Sequence, residues 1–139
     1  WEPDDDATSR LIVEHLGLDP DTMSEAEILR LTANWLADRS SPVSCTVDGV
    51  AINNLEQYRA ESPDFEFIFN DELAALFGIP GGLKAPAVAD GYWLMLAPLA
   101  AGAHTIEFHG VADISTANGD PFDLYFTVDI IYHLTVAGE

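Results

Sequence analysis

The stretch Asp90-Gly-Tyr-Trp-Leu-Met-Leu-Ala-Pro-Leu-Ala-Ala-Gly-Ala-His-Thr-Ile-Glu-Phe-His-Gly110 constrains the fold of this chain more than any other. It reads as two strands joined by one tight turn. Tyr92 to Ala97 are apolar on both alternating faces, as in a strand covered on both sides. Ile106 and Phe108 alternate with Thr105, Glu107 and His109, as in a half-exposed strand. Gly102 lies between the runs, where a residue free to take positive φ is needed. The expectation is a hairpin that closes at Gly102.

The remaining elements follow from periodicity. Helices are predicted over Ala7–Leu16 and Glu25–Arg39. The second starts at a capping-box pattern, Ser24 with Glu27, and places Ile28, Leu31 and Trp35 on one face. From Val43 the period drops to two. Val43, Cys45 and Val47 lead into Asp48-Gly49, a type I′ hairpin dipeptide, and the chain returns through Val50 and Ile52. Phe65, Phe67 and Phe69 mark another strand, and Asp71 to Phe77 a short helical turn. The last strand, Leu124 to Val136, puts Val128, Ile130, Tyr132, Leu134 and Val136 on one face, and its partner is the strand ending at Gly110. Short antiparallel strands separated by turns point to a mainly β fold, an Ig-like or jelly-roll-like antiparallel β-sandwich with two N-terminal α-helices. One domain over 1–139 is expected, with 1–41 as a helical attachment and 42–139 as the sandwich.

The formal charge is −19, from 24 Asp and Glu against 5 Lys and Arg. Such a field repels phosphate backbones and anionic headgroups, which argues against nucleic-acid partners and favours cations. Scattered acids with a single lysine, Lys84, also suit a protein kept soluble at high salt, so habitat and cation binding stand as alternatives. The longest apolar stretch is broken by Pro98 and is too short to span a bilayer, which argues against membrane insertion. The one cysteine, Cys45, allows no intrachain disulfide and alternates with Val43 and Val47 as a core thiol does. The opening Trp-Glu-Pro-Asp-Asp-Asp has no basic and apolar leader pattern, so any secretion signal has been removed or was never present.

Several blocks occur in a recognisable order: Thr46-Val-Asp-Gly49, Asn54-Leu-Glu-Gln-Tyr58-Arg59, Ser62-Pro63, Asp90-Gly91-Tyr92-Trp93, Pro98-Leu99, Gly102, His104-Thr-Ile106 and Phe108-His-Gly110. In these the chain resembles a family of secreted bacterial and archaeal proteins of uncharacterised function. The likeness runs from Val43 to Val136 and brings no catalytic residues with it. It implies an exported β-sandwich, extracellular or periplasmic. Members carry a longer N-terminal region with a signal peptide, so the resemblance implies a mature or truncated form.

Two groups of residues suit metal chemistry. Glu107 and His109 share one strand face, Asp129 and His133 another, and if the strands pair, imidazoles and carboxylates converge in the mixture that zinc, copper or non-haem iron prefers. Asp113, Ser115, Asn118, Asp120 and Asp123 offer hard oxygen ligands for calcium, without the ordered spacing of an EF-hand. Solvated surface histidines and Asx turn chemistry are the plainer readings of the same residues. The other histidines are His15 and His104. No Gly-x-Ser-x-Gly elbow or glycine-rich phosphate cradle is present. With 24 acids, some close carboxylate pair suited to glycosidic cleavage is nearly inevitable and carries no weight. Tyr92 and Trp93 point to opposite faces, one into a core and the other either covered or free to stack on a sugar ring. Arg59 suits a structural anchor for carboxylates or carbonyls, with a ligand carboxylate as the alternative.

Two functional classes emerge. The first is a non-catalytic exported module that binds an extracellular partner or assembles as a homo-oligomer through an uncovered sheet edge. The second is a small metal-dependent enzyme built on His109, His133 and neighbouring acids.

Overall fold

A computed structural model describes residues 7–138. Helices and antiparallel strands both contribute substantially, so the chain is mixed α and β rather than mainly β. Its contacts divide it into two compact units, the first drawn from Trp1–Trp35 and Glu61–Asp90, the second from Leu36–Ala60 and Gly91–Glu139. That division crosses the 41/42 boundary expected from sequence.

In the first unit, α1 (Ala7–His15) ends in a Schellman motif: Gly17, at φ 75°, donates its N–H to Glu14 O, and Leu18 N–H reaches Val13 O. Ile12 and Val13 are fully buried. The helix α2 (Glu25–Asp38) starts at the expected capping box, with Ser24 N–H donating to Glu27 Oε2 at 2.8 Å and Glu27 N–H to Ser24 Oγ at 3.4 Å. The Ser24 hydroxyl and N–H together hold the Glu27 carboxyl below its ordinary range. Two strands, Phe65–Ile68 and Lys84–Ala87, pair antiparallel around a short helix, Asp71–Phe77, capped by the Asn70 side chain on Leu73 N–H at 2.8 Å.

The second unit holds a four-stranded antiparallel sheet. In chain order, β1 is Ser40–Val47, β2 Val50–Ala51, β3 Arg59–Glu61, β4 Phe65–Ile68, β5 Lys84–Ala87, β6 Asp90–Tyr92, β7 Gly102–Ile114 and β8 Leu124–Val136. The sheet order is β2-β1-β7-β8, and β3 pairs with β6 alone. Asp48 (φ 51°) and Gly49 (φ 76°) form the β1–β2 turn, both in the left-handed region that a type I′ hairpin requires. The Ser41–Pro42 peptide is cis. β7 and β8 pair over their whole length, from Gly102↔Val136 to Ile114↔Leu124. The long final strand predicted from alternation is present with its expected bounds, and its partner runs past Gly110 to Ile114.

The hairpin expected across Gly102 does not form. Extended pairing stops at Tyr92, and β7 takes β1 and β8 as neighbours. Both edges of β7 are thereby occupied, so residues 93–97 have no ladder to join. Their polar groups find other partners: Trp93 N–H donates to Tyr58 O at 2.9 Å and its indole N–H to Ala60 O at 3.2 Å. Gly102 does take a positive φ, 143°, but it opens β7 instead of closing a turn.

Candidate functional site

The registers of β1, β7 and β8 sort the second unit's side chains onto two faces. One carries Cys45, Ile106, Phe108, Val128, Ile130 and Tyr132, because Cys45 lies opposite Phe108, Phe108 opposite Ile130 and Ile106 opposite Tyr132. The other carries Ser44, Glu107, His109, Asp129 and His133.

On this polar face Ser44, His109 and Asp129 form a row across three neighbouring strands. His109 Nδ1 and Asp129 Oδ1 are 2.6 Å apart, and Thr127 Oγ1 donates to Asp129 Oδ2 at 3.3 Å. Glu107 faces Ile131, and His133 faces Thr105. The four residues expected to gather around a transition metal therefore share a face, yet only His109 and Asp129 meet. Among the described residues, no group of three or more His, Cys, Asp or Glu side chains is placed to hold a metal ion. A single imidazole–carboxylate pair supplies too few donors for the three or four protein ligands a zinc site uses.

Of the carboxylates expected to hold calcium, Asp120 and Asp123 accept hydrogen bonds from their own loop. Asp120 accepts from Ser115 N–H at 3.0 Å and from Arg39 Nε at 2.8 Å. Asp123 accepts from Thr116 N–H at 2.7 Å and from its hydroxyl at 2.9 Å, bonds that hold the Asp123 carboxyl below its ordinary range. Ser115 Oγ caps Ala117 N–H at 3.2 Å, and Asn118 ends that turn. Asp113 stands on β7 opposite Tyr125. This is Asx and Ser/Thr turn chemistry, which fixes the β7–β8 connection.

A second histidine–carboxylate pair escaped the sequence reading. Asp48, at the first turn position, accepts from Thr105 N–H through Oδ1 at 2.8 Å and from His104 Nδ1 through Oδ2 at 2.7 Å. The other ring nitrogen, Nε2, lies 2.8 Å from Ala100 O. Both acceptors lack a proton to give, so satisfying both requires two N–H groups, the imidazolium form. The Asp48 hydrogen bond, then the Ala100 carbonyl, raise the His104 pKa; the His104 bond, then Thr105 N–H, lower that of Asp48. A sequence signal exists only once β1–β7 register is known, because Val47↔Ile106 is what sets the Asp48 turn beside Thr105.

The cations are structural. Arg59 Nη1 bonds Asp38 at 2.5 Å, Lys84 pairs with Glu66 at 2.7 Å, Arg30 with Asp64 and Arg39 with Asp120, while Arg10 bonds Asp21. With these five cations engaged, the acidic excess is uncompensated. Cys45 is buried on the apolar face, and burial pushes its thiol pKa up, away from the reactive thiolate. His15 ends α1, its ring nearly perpendicular to that of Trp35 with centroids 6.4 Å apart.

Over the apolar face lies a groove of about 470 Å³, lined among others by Leu55, Tyr92, Leu94, Leu96, Phe108 and Tyr132. Of the two aromatics set on opposite faces, Tyr92 belongs to this groove, and Trp93 is largely exposed. Along β8, Leu124, Phe126, Tyr132 and Leu134 are exposed on this face, and Tyr125 and Ile131 on the other. No helix among the described residues is long and apolar enough to cross a membrane. Comparison with family models, curated proteins and solved structures finds no match to the chain.

Proposed function

We propose that this chain is a non-catalytic, exported β-module that acts at the cell exterior by presenting its sheet to another protein surface, a binding partner or further copies of itself. The observation that carries this reading is β8: a 13-residue strand at the end of the sheet, exposed along nearly its whole length, with large apolar side chains on both faces. Contiguous exposed apolar surface of this kind marks interaction sites. The acidic excess keeps such a surface soluble by repulsion between molecules. The resemblance to secreted proteins, and the β-sandwich it implies, belong to the same reading. Leu55, Tyr92, Leu94 and Leu96 lie where a second layer of a sandwich would cover the apolar face.

Light scattering over a concentration series, with pull-downs from an exterior fraction, tests the proposal. Self-association or a reproducible partner is expected. A chain that stays monomeric and retains nothing overturns it. Elemental mass spectrometry on protein purified without chelators or an affinity tag tests the rival class, because a stoichiometric transition metal would make an enzyme using His109, His133 and the neighbouring acids the leading reading.

A further inference from the structure

We infer that two copies of this chain join edge to edge through β8, antiparallel about a twofold axis at Ile130, so that the four-stranded sheet continues into its mate. The inference rests on the module reading and names its partner as a second copy. β8 pairs with β7 on one side and with no strand on the other among the described residues. Its 13 residues span about 44 Å and pair with β7 without a register shift. A long, regular, apolar edge is a template for another strand.

Area and charge both favour a like partner. On β8, Tyr125 is 68% exposed, Phe126 and Ile131 are each 58% exposed, and Tyr132 is 49% exposed. With Leu124, Ile130 and Leu134, and taking ~200 Å² for a large side chain, the strand exposes about 700 Å² of side chain per copy, of which edge pairing covers the part that faces the second strand. A standard interface needs about 800 Å² per partner, so the dimer is a weak, reversible one. In a chain of charge −19, β8 carries one acid, Asp129. It is therefore a place where two such molecules can approach with little local repulsion.

Register follows from length and pattern. Only an axis at Ile130 pairs all 13 residues. It sets Leu124 opposite Val136 of the second copy, Phe126 opposite Leu134 and Val128 opposite Tyr132, apolar on apolar along one face. On the other face Asp129 lies opposite Ile131 of the second copy, and no like charges are directly opposed. Paired residues of an antiparallel ladder share a face, so both apolar faces become one continuous surface.

Sedimentation equilibrium on the full chain, from micromolar to submillimolar concentration, in low salt and in about 1 M KCl, tests this. A reversible dimer that tightens with salt is expected, because screening removes the repulsion between two acidic coats. Ile131→Asp sets carboxylates against Asp129 on both sides of the axis and should weaken the dimer roughly tenfold or more. Ile131→Lys loses the same apolar side chain but gains two opposite-charge pairs, and should retain the dimer within about threefold. Circular dichroism on both variants verifies the fold, and Ile131 is exposed enough to change without unfolding the chain. If both variants weaken the dimer equally, or neither does, the β8 interface is wrong while the module reading survives. A wild-type chain that is monomeric throughout overturns the inference, and the module reading is then decided by the exterior pull-down.

Discussion

The two edges of the four-stranded sheet follow opposite rules. At one edge β2 is only Val50–Ala51, and β1 is interrupted by a register shift between Ser40 and Val43 that includes Pro42, which has no N–H to offer. The turn at this edge is tied down, since Asp48 holds both His104 and Thr105 N–H. The other edge is β8, with 13 paired residues, no proline, no lysine and no bulge. Natural sheets blunt edges by shortening, bulging and charging them. One edge here has been treated in this way and the other has been left open, and this contrast is what the proposed β8 interface rests on.

The largest test acts on β7, the strand that both edges share. Ile114, 2% exposed, sits at the end of β7 opposite Leu124, where the β8 ladder begins. Ile114→Ala removes a buried side chain and leaves a cavity, at a cost of about 2–5 kcal/mol. Denaturant unfolding should show this as a fall in midpoint at unchanged slope. A loss confined to a few tenths would mean that β7 and β8 are not anchored there, and the open edge would lose its frame.

The next effect sharpens the contrast at the blunted edge. The His104 pKa is raised, so the stability this group contributes is fully present below its ordinary value, about 6.5, and is lost as pH rises through the raised one. The Asp48 pKa is lowered, so its contribution is present above about 4 and is lost as pH falls through the depressed value. Together they predict a plateau in melting temperature between those limits, with a decline above neutrality. His104→Gln, which cannot carry the charge, should flatten the alkaline limb and shrink the acid one, because the His104 bond is the larger cause of the lowered Asp48 pKa and the Thr105 N–H bond the smaller. A wild-type melting temperature indifferent to pH above 6.5 would remove the imidazolium from the clamp.

Much of this frame is legible in sequence, and the reasons differ by element. The capping box at Ser24 and Glu27, the Asp48-Gly49 turn and β8 are local signals, and each is realised as read. Residues 93–97 depart from the expected strand because an apolar run is equally consistent with a buried strand and with a segment lying across a sheet face; which one forms depends on whether a neighbouring edge is free. Period two sets Glu107 and His109 on one face of β7 and Asp129 and His133 on one face of β8, and the β7–β8 register makes these the same face. What alternation leaves out is lateral register: His109 meets Asp129, whereas Glu107 meets Ile131. The Asp48–His104 pair depends on a register between residues more than fifty apart in sequence, which no local pattern encodes.

The smallest effect separates two tyrosines of the same strand. Tyr125 is 68% exposed on the polar face, and Tyr132 lines the groove with its ring 5.7 Å from that of Phe108. In protein dilute enough to be monomeric, Tyr125→Thr should change unfolding free energy by no more than about 0.5 kcal/mol, because threonine suits a strand and few contacts are lost. Tyr132→Thr should cost about 1 kcal/mol more, through the lost ring pair and the area it covers. At concentrations where copies associate, both costs should rise, since both side chains lie on the edge strand and both lose contacts with the second copy. Equal costs in dilute protein would show that Tyr125 is already covered within one chain, and β8 would then be a finished edge like its opposite.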